Sequence, residues 1–262
     1  MPPRPTKQTI TEIFDLFENQ GLNKSQIARN LSLHRGTVRE YLKLSLEDAL
    51  KLACENNARQ IPDLGKEYSY ILGLYLGDGH ITKMKNKKDL YRLRIFLDHK
   101  YQGIVEECKS SLERIFPDNI TSVMTQKANG LPSCDVVYVY SKSIITLFPQ
   151  HGAGKKHNRV IELEGFQREV LDKYPKEFLR GLIHSDGSRY RILKEKQYYG
   201  YNFTNCSLDI IGLFVEYCAK VGVPVRVRNK KLSHKGKSPC YTAEITRRQY
   251  VEILDDFIGQ KT

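Results

Sequence analysis

No two cysteines in this chain stand at C-x-x-C spacing. The six (Cys54, Cys108, Cys134, Cys206, Cys218 and Cys240) are scattered, and no histidine falls beside them at the spacing of a zinc site. A structural zinc centre is excluded. Reduced, mostly buried thiols are expected, as in a cytoplasmic or other reducing compartment. No apolar run approaches the ~18 residues a membrane-spanning helix needs, and Met1–Lys7 lacks the apolar stretch of a signal peptide. A soluble protein without membrane contact is expected. Acidic residues are in deficit: 30 Asp and Glu against 42 Lys and Arg leave a formal charge of +12. That balance favours an anionic polymer as partner, because each cation that meets a phosphate releases counterions. Apolar residues make up 40% and aromatic ones 10% of the 262 positions, enough for a packed core and roughly two domains.

Two segments of this chain resemble each other. Tyr70-Ile71-Leu72-Gly73-Leu74-Tyr75-Leu76-Gly77-Asp78-Gly79 aligns without a gap on Phe178-Leu179-Arg180-Gly181-Leu182-Ile183-His184-Ser185-Asp186-Gly187, at an offset of 108. The flanks repeat as well. A polar, alternating segment follows each Asp-Gly, then an amphipathic helix, Ile104 to Phe116 and Leu208 to Val221, which share Val-Glu-x-Cys. A second hairpin passes through Pro132-Ser133-Cys134 and Ser238-Pro239-Cys240, and a last helix closes each copy. The periodicities therefore predict helix–β–β–helix–β–β–helix, twice.

Upstream, residues 9–43 read as three short helices. Ser25 to Leu42 resembles a helix-turn-helix: Ala28 is small where two helices cross, and Ile27, Leu31, Leu33, Val38 and Tyr41 seal them. Ser32 stands where glycine is usual. Arg35, Thr37 and Arg39 then face DNA from the second helix, with His34 beside them. The expected boundaries are 1–45 for this domain, 46–66 for a connector, 67–150 for the first half, 151–175 for a basic linker and 176–262 for the second half.

Glycine inside a helix costs about 1 kcal/mol relative to alanine. Gly73 and Gly77, and Gly181 and Ser185, put small residues four apart on one face, which permits two backbones to approach closely. Helices paired in parallel there bring Asp78 and Asp186 together at their C-terminal ends, with Gly79 and Gly187 as left-handed helix ends. Carboxylates are disfavoured at that end by up to ~1 kcal/mol each, and they repel one another. Divalent cations remove both penalties. Hard oxygen donors point to Mg²⁺, with Mn²⁺ able to substitute, and backbone carbonyls at Gly77 and Ser185 as further ligands. Paired carboxylates of this kind support metal-assisted hydrolysis of phosphodiesters.

These residues resemble the paired motifs of the LAGLIDADG homing endonucleases, in the single-chain form with two pseudo-symmetric halves. The resemblance spans residues ~67–258 and rests on Gly73, Leu74, Gly77, Asp78 and Gly79, and on Gly181, Leu182, Ser185, Asp186 and Gly187. It implies an α+β fold in which duplicated αββαββα units form a saddle of two antiparallel sheets on DNA, beside a small all-α domain. It also implies a monomer that cuts both strands of a long DNA site, as in intron mobility, with Asp78 and Asp186 holding the metals. A basic residue per half is implied near the acids, and strand-end position selects Lys142 and Arg248 (or Arg247). The DNA-reading surface falls on Lys83, Lys85, Arg92 and Arg94 in the first half. In the second it falls on Lys194, Lys196, Arg226, Arg228, Lys230 and Lys231. The alternative from another class is a transcriptional regulator that keeps the fold and has lost cutting. Retention of both mutually repelling acids argues for the nuclease. An intein reading is weak, since no splicing residues stand at the ends.

Overall fold

The computed structural model describes residues 5, 7–50, 64–85, 87–152, 154–193, 198–230, 239–259 and 261, without the side chains of 7, 8 and 230. Lys194, Lys196 and Lys231 lie outside the described residues, as does Cys54. The chain divides into two compact units, Met1–Pro62 and Asp63–Thr262.

The first unit is helical: α1 (Lys7–Glu18), α2 (Lys24–Asn30) and α3 (Arg35–Tyr41), with a further helical stretch at 46–50. Asn23 starts α2 through a capping box, its side chain accepting from the Ser25 and Gln26 N–H groups while Gln26 returns a bond to the Asn23 N–H. Ile10, Ile13, Phe14, Ile27, Ala28, Val38, Tyr41 and Ala49 pack the core. Ser32, in the turn between α2 and α3, has φ 53°, the left-handed conformation that explains why glycine suits this place.

In the second unit the predicted order recurs. It runs α4 (Lys66–Asp78), β1 (Gly79–Lys83), β2 (Tyr91–Asp98), α5 (Gln102–Ile115), β3 (Thr121–Ala128), β4 (Leu131–Ser141) and the short α6 (Ile144–Leu147). After a 3-10 turn at Lys156–Asn158 and α7 (Gly165–Lys173) come α8 (Pro175–Asp186), β5 (Gly187–Leu193), β6 (Tyr198–Asn205), α9 (Leu208–Lys220), β7 (Arg226–Lys230), β8 (Cys240–Ile245) and α10 (Arg248–Ile258). Each half has one four-stranded antiparallel sheet, ordered β1-β2-β4-β3 and β5-β6-β8-β7. Alternation assigns the faces. Leu93, Ile95 and Leu97 of β2 are buried with Val137 and Val139 of β4, while Arg92, Arg94, Tyr138 and Tyr140 occupy the other side.

The two Asp-Gly helices form the axis. Every residue of α4 from Tyr68 to Leu76 is buried, which is why its apolar residues run on all sides rather than along one stripe. A Cβ on Gly73 would stand 2.5 Å from the Phe178 carbonyl oxygen, and one on Gly181 would stand 2.2 Å from that of Tyr70. A Cβ on Gly77 would meet the Ser185 side chain. Gly73 thus lies against Gly181 and Gly77 against Ser185, so α4 and α8 run parallel about a local two-fold.

The ends of these helices differ from expectation. Gly79 (φ −89°, ψ 152°) and Gly187 (φ −102°, ψ 166°) are extended, not left-handed. Each is the first residue of a strand that leaves the helix directly. A Cβ there would strike the preceding turn, 2.5 Å from Tyr75 Cα and 2.7 Å from Ile183 Cα. Close approach, not backbone handedness, requires glycine at both. The thiols also depart from expectation. Cys206 and Cys240 form a disulfide, whereas Cys108, Cys134 and Cys218 are free. Asn205 pairs with Tyr241 across β6 and β8, so register sets the next two residues opposite each other, with Cα atoms 4.1 Å apart. Thirty-four residues separate them in sequence, and no local spacing signals the pairing.

Candidate active site

Asp78 and Asp186 are the last residues of α4 and α8, and the helix contact carries both to one place. Burial, and then the charge of Asp186, push the Asp78 carboxyl up to about 6. Burial also raises Asp186, while a hydrogen bond from Asn205 opposes the rise. Two half-buried acids at the negative ends of two helices form a site that wants positive charge.

Two lysines supply it, and neither is the residue expected. Lys156, from the linker, donates from Nζ to the carbonyl oxygens of Tyr75 (2.5 Å), Leu76 (3.1 Å) and Gly77 (3.0 Å) at the end of α4. Lys261 donates to the Gly187 carbonyl at 2.6 Å. The two lysines are the cations whose fields oppose the rise of both acids. Burial lowers the Lys156 ammonium to about 8 and lowers Lys261 as well. Lys142 is instead exposed beyond β4, and Arg248 is 83% exposed, paired with Glu252 on its own helix. One signal was available: Lys156 and Lys261 stand 105 residues apart, close to the offset of the repeat.

Asn205 ends β6. Its Nδ2 donates to Asp186 Oδ2 at 2.8 Å, and its Oδ1 accepts from the Ser207 N–H at 2.8 Å, which fixes the amide's orientation. A cavity of about 620 Å³ opens beside Asp186, lined among others by Gly77, His80, Lys156, His157 and Asn205. Asp78 does not line it. Ser185 donates its hydroxyl back to the Leu182 carbonyl (2.9 Å). His184 is buried, bonded to the Tyr70 hydroxyl (2.9 Å) and the Ile258 carbonyl (3.1 Å), so it has a structural place.

The donor set fits a hard divalent cation. Two carboxylates and the carbonyls at the helix ends are all oxygen, and the carbonyl cluster at Gly77 already accepts an ammonium. Among the described residues no group of three His, Cys, Asp or Glu gathers that would form an all-protein metal cage. A cation here would keep open positions for water and for oxygens of a bound anion, as Mg²⁺ does.

The sheets present the remaining predicted residues. Arg92 lies beside the Tyr140 hydroxyl (3.4 Å), and Arg94 donates to Thr82 Oγ1 (3.3 Å) and contacts His80 Nδ1 (3.0 Å). The Nε atoms of Arg92 and Arg94 are buried without a partner among the described residues. Lys83 belongs to the other face, where its ammonium sits 6.0 Å from the Tyr91 ring centroid. Strand parity, which a five-residue strand shows poorly, decides this. Lys85 is exposed after β1. In the second sheet, Arg226 and Arg228 share a face with Asn202, Thr204 and Thr242, and Arg228 pairs with Glu244 at 3.0 Å. Lys230 ends β7. In the first unit Arg35 and Arg39 are exposed and Thr37 half-exposed on α3. His34 caps that helix, accepting from the Gly36 N–H at 3.2 Å.

Comparison with known proteins matches residues 173–259 to the family model of a LAGLIDADG-like domain. The uncharacterized protein MJ0398 of Methanocaldococcus jannaschii is 29% identical over 178 residues, 65% of this chain, which spans 57% of that protein's length. The homing endonuclease I-DmoI shares the fold. A structure of its mesophilic variants superposes with a TM-score of 0.51 at 15% identity over 74% of this chain and 96% of its own. A structure of I-DmoI in complex with DNA and Mn gives 0.51 at 15%, over 74% and 97%. Residues 173–259 are thus a LAGLIDADG-like domain, and the two-sheet α+β architecture is that of the LAGLIDADG fold. Among the described residues no helix is long and apolar enough to cross a membrane.

Proposed function

We propose that this chain, whose second half is a LAGLIDADG-like domain, is a site-specific endonuclease that cuts both strands of DNA with Mg²⁺ or Mn²⁺. One observation carries the reading. Two acids from matched helices are held together at a half-buried, two-fold position, an arrangement that a bound cation favours. DNA with bound Mn is the ligand of I-DmoI in one of the matched structures.

Asp78 and Asp186, with the carbonyl of Gly77, would hold the cation. When bound, it lowers the pKa of a water and stabilises charge on the phosphate. The chain's own residues do the rest. Asn205 holds Asp186 in one orientation. Lys156 and Lys261, anchored on the helix-end carbonyls, keep positive charge beside the place where negative charge develops. Arg92 and Arg94 of the first sheet, and Arg226 and Arg228 of the second, contact phosphates or base edges of the duplex. The helices of the first unit add a contact through Arg35, Thr37 and Arg39.

Selection of cleaved sites from a randomised DNA library with Mg²⁺ tests the reading and finds the target. Recovery of one long site cut in both strands is expected. Tight, sequence-specific binding with no cutting in Mg²⁺ or Mn²⁺ would overturn it in favour of a regulator. On that target, Lys156→Met or Lys261→Met should slow cleavage about 10²-fold while DNA affinity changes only a few-fold. Single-turnover rates beside filter-binding constants check this. Lys142→Met and Arg248→Met should leave the cleavage rate within twofold. Deleting residues 1–62 should shorten the DNase footprint and weaken binding about tenfold, with the metal-dependent rate at saturating protein preserved.

A further inference from the structure

The described cysteines fall into two kinds of surroundings. Cys108 and Cys218 lie in the core, where burial raises both thiols and keeps them from solvent. The disulfide is placed differently. Cys206 and Cys240 are half-buried, and both line the cavity that opens beside Asp186 and Lys156. His80 and Arg159 line the same cavity. A small thiol that enters it meets the bond directly. Thiol–disulfide exchange proceeds through a thiolate, and a thiolate is favoured beside positive charge.

Strand register shows that the bond belongs to one half alone. Leu97 pairs with Asp135 and Asn205 with Tyr241, so the next pair is Asp98 with Cys134 in the first half and Cys206 with Cys240 in the second. With one thiol at that place, the first half cannot close the bond, and Cys134 is free. In the second half the 34-residue path between the two cysteines contains α9 and β7. The bond therefore ties the end of β6 to the start of β8, on which β7 is laid through the pairs Arg226–Glu244, Arg228–Thr242 and Lys230–Cys240. With the bond open, only the hydrogen-bond ladder holds these strand ends on the cavity wall, and closing so long a loop removes much chain freedom.

We infer that Cys206–Cys240 is a redox switch in the wall of the candidate active site: the closed bond holds the form that engages and cuts DNA, and a low-molecular-weight thiol opens it and slows cutting. This rests on the nuclease reading above. The exchange is balanced by two molecules of that thiol. The first, as thiolate, attacks one cysteine sulfur, forms a mixed disulfide and releases the other cysteine. The second attacks the small-molecule sulfur of the mixed disulfide and releases the remaining cysteine. Two electrons pass to the protein, each cysteine takes up a proton, and the small thiol leaves as its own disulfide. That disulfide is the oxidant for the reverse reaction.

The test uses the full chain, oxidised with glutathione disulfide or reduced with dithiothreitol, then freed of reagent under inert gas. In single-turnover assays with Mg²⁺ on the selected duplex, the reduced form should cut about tenfold more slowly, and reoxidation should restore the rate. Across a series of glutathione to glutathione disulfide ratios, the rate and the thiol content, read by alkylation and mass, should change together. The double variant Cys206→Ala, Cys240→Ala should cut at the reduced rate in either buffer, and Cys134→Ala should respond as wild type does. Reduction and reoxidation of the wild-type chain give the answer even if the double variant fails to fold. Equal rates in the two states, or a lower melting temperature on reduction with no change in rate, would overturn the inference and leave the nuclease reading intact. If neither state cuts, the nuclease reading fails, and filter binding of a duplex selected by affinity decides the switch. Binding weakened about tenfold on reduction supports it, and equal affinity refutes it.

Discussion

Asp78→Asn and Asp186→Asn should each lower metal-dependent cleavage by 10³-fold or more, hold DNA affinity within a few-fold, and raise the melting temperature of the metal-free protein. Cleavage falls because an amide is a poor cation ligand. The gain in stability has the same origin. The Asp78 carboxyl titrates at about 6 in the folded chain against an ordinary 3.8, so its ionised form is disfavoured in the folded state at neutral pH. Two units correspond to about 3 kcal/mol, and removing the charge should return on the order of 1–3 kcal/mol. For a unit of this size that is several degrees.

The sign of the pH dependence follows. A carboxylic acid whose folded pKa is raised destabilises the fold at high pH. That penalty is absent below about 3.8, grows as pH rises, and is complete above about 6. Melting scans in chelator at pH 4, 5, 6 and 7.5 should therefore show Asp78→Asn and wild type converging at low pH and separating above pH 6. Protons compete with the cation in the same window, so Mn²⁺ affinity should fall about tenfold per pH unit below about 6. An asparagine variant that melts lower than wild type at pH 7.5 in chelator would show that the acids are not held against their preference.

Gly181→Ala should destabilise the second unit by about 3 kcal/mol or more. The methyl group would stand 2.2 Å from the Tyr70 carbonyl oxygen and 3.0 Å from Gly73 Cα, both backbone atoms that no rotamer change can move aside. Overpacking between flexible side chains costs about 1–3 kcal/mol, and a backbone obstacle puts this case at or beyond the top of that range. Separating the helices also pulls the acids apart, so cleavage should fall more steeply than folded protein. Gly212→Ala is the control. Gly212 lies inside α9 with nothing within 4 Å of its Cβ position, so the same substitution should stabilise by about 0.5–1 kcal/mol. Urea titrations of both variants make the comparison, and equal effects would show that the Gly73–Gly181 contact does not limit the helix pair.

Much of the architecture was legible because it is locally encoded. Alternation along Tyr91–Asp98 names its buried side, and the small residues Gly73, Gly77, Gly181 and Ser185 announce a close helix crossing. Duplication doubled the signal: an Asp-Gly alone reads as a turn, but two at one offset in matched surroundings read as a site. Less visible were features that depend on where the chain returns after a long excursion. Lys142 and Arg248 were selected by position along the chain. Lys156 reaches the acids because the linker folds back to the end of α4, and Lys261 because the segment after α10 comes back to Gly187.

By itself the sequence determined the repeat, its order of helices and strands, and the two acids at the helix ends, since periodicity and composition record local burial. Only the tertiary structure decided which cations face those acids, that Gly79 and Gly187 serve close approach in extended backbone, and that Cys206 meets Cys240. It also decided that Asn205 holds Asp186 and that Lys83 lies on the opposite face of its sheet from Arg92 and Arg94. Contacts between residues tens of positions apart depend on strand register and on the path of the linker, and neither leaves a period in the sequence.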